Sequence, residues 1–362
     1  MSSARILILD SAPEAFLSDE LEPFLAAGIH VTLNLWRLER RETVREALAN
    51  RVDFVDFSGF DEQALISEVT EGGRGYDIVK TRANVPITRR FLTAATRDSL
   101  QRPLRVVAQA GSGTNHIDVS AAVEHRVLVT HTPGSNAEAV AEHALAMIMV
   151  MTKELLPHHG SAHQGLWRGH PVSFPRELSE LTLGIVGPGL IGQALARKAQ
   201  TLGMTVVALG SRRFDADQAV RIGVDRAGSL AELLAVSDIV SLHCPLNDST
   251  RGMIGPDELR LMKPASVLVN VARGGVVDEE ALASALKDPD SAPAAAAVDV
   301  FAKEHEHFAS PLMGLDNAFL TPHIAGMTHG AAARATSDLT RNILALLAGR
   351  REGVPVVGPG TE

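Results

Sequence analysis

A chain of 362 residues with 45% hydrophobic and 21% charged side chains can bury a large core, and its length predicts two domains. Its formal charge of −9 argues against a protein whose main partner is the phosphate backbone of nucleic acid, which needs clustered Lys and Arg. The single cysteine, Cys244, excludes an intrachain disulfide framework and fits a reducing compartment; within the apolar run "DIVSLHCPL" it reads as a packing residue, with a nucleophile as the alternative.

Taken in order, the chain begins "MSSARILILD", too short an apolar run for a signal peptide, and enters a strand at once. Strand-like runs follow at "RILILD", "HVTLNLW", "VDFVDF", "DIVKT" and "LRVVAQAG", with a helix from Ala12 after the first. Strands alternating with helices predict a parallel sheet covered on both faces. Next comes a long helical pattern, "SNAEAVAEHALAMIMVMTKELL", opened by Ser135 or Asn136 and serving as a linker. Its apolar stretch at 144–151 is too short to span a bilayer, so the protein is expected to be cytoplasmic.

A second series runs from "LTLGIVGPGLIGQALARKAQTLGMTVVALGS" through "DIVSLHCPL", "ASVLVNVARG" and "PAAAAVDVF". The final helix, "HGAAARATSDLTRNILALLAG", stops at Gly349 and is expected to pack back on the first domain, and "REGVPVVGPGTE" reads as a loose tail.

Gly187-Pro188-Gly189-Leu190-Ile191-Gly192 is a G-x-G-x-x-G between an apolar strand and a helix. In that context Gly187 permits a tight turn, Gly189 lets backbone approach a pyrophosphate, and Gly192 lets helix and strand pack closely. About twenty residues on, where such folds place an acid on the ribose, the sequence offers Gly210, Ser211, Arg212 and Arg213. A carboxylate would repel a 2′-phosphate, whereas these residues can bind one, so NADP(H) is the expected cofactor with NAD(H) possible. The alternative is a pair of solvated loop arginines.

Three later runs end in polar residues: Arg273 after "VLVNVA", Asp299 and Glu304 in "VDVFAKE", and His323 in "LTPHIAG". Arg can grip a carboxylate with a two-pronged fork, His can give or take a proton, and a carboxylate beside that His orients it. Together they suit redox chemistry on a 2-oxo acid, although each alone also reads as a surface ion pair or cap. Lys80 and Arg82, at the ligand edge of the first domain, are candidates for a substrate's distal phosphate or carboxylate, or ordinary loop residues. The histidines of "PHHGSAHQG" match no zinc spacing and read as a solvated loop, as do His305 and His307; no metal site is expected. Trp36 and Trp167 read as packing or interface residues.

The blocks "GSGTNHID", "VTHTPGSNAEAVAEHALAMI", "GIVGPGLIG", "SLHCPLNDSTRGMI", "MKPASVLVNVARGGVVDEEAL", "VDVFAKE" and "LTPHIAG" make the chain resemble the D-isomer-specific 2-hydroxyacid dehydrogenases over nearly its whole length. The resemblance implies two doubly wound α/β domains. One is a flavodoxin-like substrate domain from residues 1–134 and 325–362; the other is a Rossmann cofactor domain of 135–324, with closure of the two excluding water. It implies that Arg273 binds the substrate carboxylate, that Glu304 pairs with His323 as the acid and base, and that the backbone at Ser112 and Gly113 takes the carboxylate. Val271 and Asp299 would lie by the cofactor, Asn136 and Val140 by the hinge. It further implies a homodimer. The "E-P" common after the catalytic Glu is replaced by Glu304-His305, and His116 stands where the family commonly has Asn or Asp.

The expected function is an NADP(H)-dependent reductase of a small 2-oxo acid, of glyoxylate or hydroxypyruvate type. Two alternatives stay open: an NAD-dependent dehydrogenase of a phosphorylated hydroxy acid, resembling phosphoglycerate dehydrogenase, and a nucleotide-sensing, corepressor-like binding protein.

Overall fold

In a computed structural model, the described residues are 4–82, 85–167, 174–211, 214–304 and 308–358. They form two compact units, one of Met1–Asn136 with Thr328–Glu362 and one of Ala137–Met327.

The first unit is built on β1 (Arg5–Ile8), β2 (His30–Asn34), β3 (Asp53–Val55), β4 (Ile78–Thr81), β5 (Val106–Gln109) and β6 (Leu128–Thr130). Their parallel order is β6-β5-β4-β1-β2-β3. Within it β2-β1-β4-β5-β6 is the flavodoxin-like arrangement, with short β3 added at one edge. Because the sheet is covered on both sides, successive residues of one strand serve different cores. Leu7, Val79 and Val107 lie in one cluster; Ile6, Ile8, Ile78 and Val106 lie in the other. Leu339, Ile343 and Leu346 of the helix His329–Leu347 complete the second cluster, each burial contributing about 1.5–3 kcal/mol.

Two expectations for this unit are corrected. The helix placed at Ala12 starts at Leu17, after a single 3-10 turn at Glu14–Phe16, because Pro13 holds the chain extended and the Glu20 carboxylate accepts from the Ala12 amide at 2.7 Å. The supposedly loose tail contains a strand, Val356–Val357, antiparallel to β6, and Thr130 Oγ1 donates to the Pro355 carbonyl at 2.7 Å. Alternation over two residues is too short a signal to read in sequence.

The second unit carries β7 (Thr182–Val186), β8 (Thr205–Leu209), β9 (Asp225–Arg226), β10 (Ile239–Leu242), β11 (Val267–Asn270), β12 (Ala295–Val298) and β13 (Ala318–Leu320). All are parallel, in the order β13-β12-β11-β10-β7-β8-β9. Strand order reverses between β7 and β10, the place where open α/β sheets leave a crevice. The helix Ala137–Thr152 belongs to this unit and buries Val140, Ala144, Met147 and Ile148 in its core. Among the described residues no helix is long and apolar enough to cross a membrane.

The "PHHGSAHQG" tract is not a loop: Leu155–His163 is a helix with its histidines on the surface. Pro157 stands in the first turn, where its missing N–H breaks no intrahelical bond, and Gly165 ends the segment with φ +75°. Trp36 donates from its indole to the Leu9 carbonyl at 3.0 Å. Trp167, by contrast, is 87% exposed. Cys244 is buried in the second unit's core.

Candidate active site

The glycine turn of the second unit lies at its crevice. Gly187 has φ +92°, and a Cβ there would stand 2.8 Å from the Cys244 amide nitrogen at the end of β10. A Cβ on Gly192 would meet the Gly187 carbonyl oxygen at 2.6 Å. Packing therefore explains those two, and Gly189 differs: nothing lies within 4 Å of where its Cβ would be. That open space sits at the start of the helix Leu190–Thr201, whose first-turn N–H groups lack intrahelical acceptors and whose N-cap supplies no side chain. The cradle fits a dinucleotide pyrophosphate held by backbone donors of Leu190, Ile191 and Gly192. Beyond β8, Gly210 is pressed on Phe214, 2.4 Å from a notional Cβ, and exposed Ser211 follows with no acid. Arg212 and Arg213 lie outside the described residues, as do His305 and His307.

Three neighbouring strands deliver the polar residues. Arg273, Glu304 and His323 follow β11, β12 and β13, which lie side by side. His323 Nδ1 and Glu304 Oε2 are 2.7 Å apart, and Glu304 Oε1 accepts from the Phe301 amide at 3.0 Å. The carboxylate is thus fixed by backbone on one side and orients the imidazole with the other.

Half-buried Arg273 donates from a terminal nitrogen to the Ala272 carbonyl at 2.7 Å, and its own carbonyl accepts from Asn270 at 3.0 Å. Gly274 brings this turn against the Glu304 loop: a Cβ on it would stand 1.9 Å from the Phe301 carbonyl carbon. Val271, next to this turn, is buried in the core.

Asp299 is 1% exposed, and its oxygens are engaged by the His323 loop. Oδ1 accepts from Thr321 Oγ1 at 2.5 Å and the Ile324 amide at 2.9 Å, and Oδ2 accepts from the Ala325 amide at 2.9 Å. The bracing matters because His323 has φ +55°, in the left-handed region that non-glycine residues enter only when their surroundings compel it. His143, whose role the sequence left unassigned, joins this brace with Nε2 3.0 Å from Thr321 Oγ1. His243 was missed as well: its Nδ1 is buried and has no hydrogen-bond partner among the described residues, and burial pushes its pKa down to about 3. Only its place beside the glycine turn could have flagged it.

In the first unit, Ser112 and Gly113 follow β5, and neither amide donates a hydrogen bond among the described residues. Ser112 Oγ donates to Asn136 Oδ1 at 3.1 Å. Lys80 is 1% exposed and tied to Glu20, Nζ to Oε1, at 2.6 Å, so it is not a free ligand for a substrate anion. Charge on a strand with both faces covered needs a buried partner, and Glu20 comes from a distant helix. Among the described residues no cluster of His, Cys, Asp or Glu could hold a metal ion.

Fold and site together define a dinucleotide-dependent oxidoreductase. The family model for "D-isomer specific 2-hydroxyacid dehydrogenase, NAD binding domain" matches residues 145–325. A glyoxylate reductase of Korarchaeum cryptofilum is 34% identical over 95% of this chain and 93% of its own length. An (S)-sulfolactate dehydrogenase of Chromohalobacter salexigens is 39% identical over 69% of this chain and 81% of its own. A D-3-phosphoglycerate dehydrogenase of Mycobacterium tuberculosis is 35% identical over 84% of this chain, which spans 54% of that relative. Among solved structures, D-lactate dehydrogenase of Aquifex aeolicus with NAD and lactic acid superposes with a TM-score of 0.77 at 25% identity, covering 98% of this chain and 100% of that one. The chain belongs to the D-isomer specific 2-hydroxyacid dehydrogenase family, and its second unit is an NAD(P)-binding domain.

Proposed function

We propose that the protein reduces a small 2-oxo acid with NADPH. The observation that carries the reading is the His323–Glu304 hydrogen bond at the end of adjacent strands, with Arg273 following the next strand over. Glu304 occupies Nδ1, so Nε2 of His323 is the nitrogen that delivers a proton to the carbonyl oxygen as it gains charge. Arg273 binds the 2-oxo acid carboxylate and stabilises that oxygen. A bound nicotinamide supplies the hydride. The NADP preference is supported by the lack of an acid after β8 and by Ser211, Arg212 and Arg213 in its place. The glyoxylate reductase relative supports a small substrate.

A homodimer is supported by a run of exposed apolar side chains in the second unit, Leu155, Leu156, Leu166, Trp167 and Phe174. Light scattering should give twice the chain mass, and a monomer at micromolar concentration would remove this part of the reading.

The test is initial rates with NADPH and NADH against glyoxylate, hydroxypyruvate, pyruvate and 3-phosphohydroxypyruvate. An NADPH advantage of about tenfold or more in kcat/KM supports the proposal. Faster turnover with NADH overturns the cofactor assignment, and no turnover with any acid overturns the reductase reading.

A further inference from the structure

His143 stands at the edge of the buried face of the helix Ala137–Thr152, one turn from both Val140 and Met147. That helix packs on β11 and β12, and His143 reaches the loop after β13. There its Nε2 lies 3.0 Å from Thr321 Oγ1 and 3.7 Å from Asp299 Oδ1.

What each group can give fixes the direction of these bonds. Thr321 has one hydroxyl proton and donates it to Asp299 Oδ1, since a carboxylate can only accept. Its oxygen is therefore an acceptor toward the imidazole, so the proton between them belongs to His143 Nε2. A directed chain runs from His143 through Thr321 to Asp299.

Asp299 is where that chain meets the catalytic turn. Pro322 has no N–H, and the other four amides from Thr321 to Ala325 all donate to the end of β12. Thr321 uses the Val298 carbonyl at 3.0 Å and His323 the Asp299 carbonyl at 2.7 Å. Ile324 and Ala325 use the two Asp299 carboxylate oxygens, each at 2.9 Å. Half of the anchors that hold His323 at φ +55° thus depend on the orientation of one side chain. The Thr321 hydroxyl fixes that orientation, and His143 fixes the hydroxyl.

We propose that His143 is a positioning residue, whose Nε2–H locks the Thr321 hydroxyl onto Asp299 and thereby aims the His323 imidazole. Its effect on rate rests on the reductase reading above; its effect on the turn does not.

The test measures kcat and KM for the best acid, per nucleotide-binding site counted by cofactor fluorescence. His143→Leu should lower kcat by about fivefold or more and leave KM within about twofold, and His143→Gln, which keeps a side-chain N–H donor, should recover most of the loss. Thr321→Val cuts the chain at its middle, so adding His143→Leu to it should cost little more. Unchanged kcat per site in His143→Leu, no recovery in His143→Gln, or additive losses in the double variant would each overturn the proposal. Amide hydrogen exchange reads the turn without turnover: the Ile324 and Ala325 amides should exchange about fivefold or more faster in His143→Leu, with Val240 in the middle of the sheet as background. Equal rates, or a rise shared by Val240, overturn the brace. If no acid turns over, the reductase reading fails and the exchange rates alone decide whether His143 holds the turn.

Discussion

His323 Nδ1 and Glu304 Oε2 lie 2.7 Å apart, and Glu304 is itself anchored by the Phe301 amide. In the proposed reaction the imidazole is the proton donor, so His323→Asn should lower kcat by about 10²–10⁴-fold. Glu304→Gln keeps the shape but loses the charge, and should lower kcat by roughly tenfold or more while leaving the cofactor Kd, read from nucleotide fluorescence, unchanged. Full activity in Glu304→Gln would remove the pair from the chemistry.

Gly274 is the contact that joins the Arg273 turn to the Glu304 loop. A methyl group there meets Phe301 backbone at 1.9 Å, with no flexible side chain to move aside. Gly274→Ala should therefore destabilise the protein by about 1–3 kcal/mol and lower kcat as the two loops separate. Urea unfolding with parallel kinetics checks both. Unchanged stability would mean that the loops yield freely.

His243 predicts an acid limit to stability. Burial takes its pKa from an ordinary 6.5 to about 3. The unfolded chain gains this proton as the pH falls through the ordinary value, while the folded chain stays neutral until the lower one. Stability therefore falls with pH across that window, by up to about 1.4 kcal/mol per pH unit from this group. His243→Asn should flatten the dependence of unfolding free energy between pH 6.5 and pH 4 relative to the native protein. Carboxylates titrate in both proteins and cancel in the difference; parallel curves would refute the assignment.

The alternation of strands and helices was legible because strands covered on both faces are written as continuous apolar runs, as in "ILIL" and "TLGIV". The candidate site was legible where residues stand just past such runs, as Arg273 and His323 do. What escaped depends on contacts distant in sequence. Lys80 sits on a strand end that suits a ligand, and only the fold brings Glu20 to neutralise it. Asp299 reads as a cofactor residue, but its oxygens are spent holding the strained turn at His323. The helix at Leu155–His163 was hidden by Pro157 and Gly160, which disfavour helix interiors but are tolerated in this short, exposed one.

The second unit is contiguous from Ala137 to Met327, whereas the first borrows Thr328 onward to finish its core. During synthesis this reverses the usual order of completion. All seven strands of the later sheet are synthesised before the helix carrying Leu339, Ile343 and Leu346. The chain's first 136 residues must wait with Val106 and Ala108, on the side of the sheet that this helix covers, incompletely packed until the last segment arrives. Nascent chains halted just after Met327 and emerged from the exit tunnel should thus resist protease across the nucleotide-binding unit and be cut within the N-terminal one.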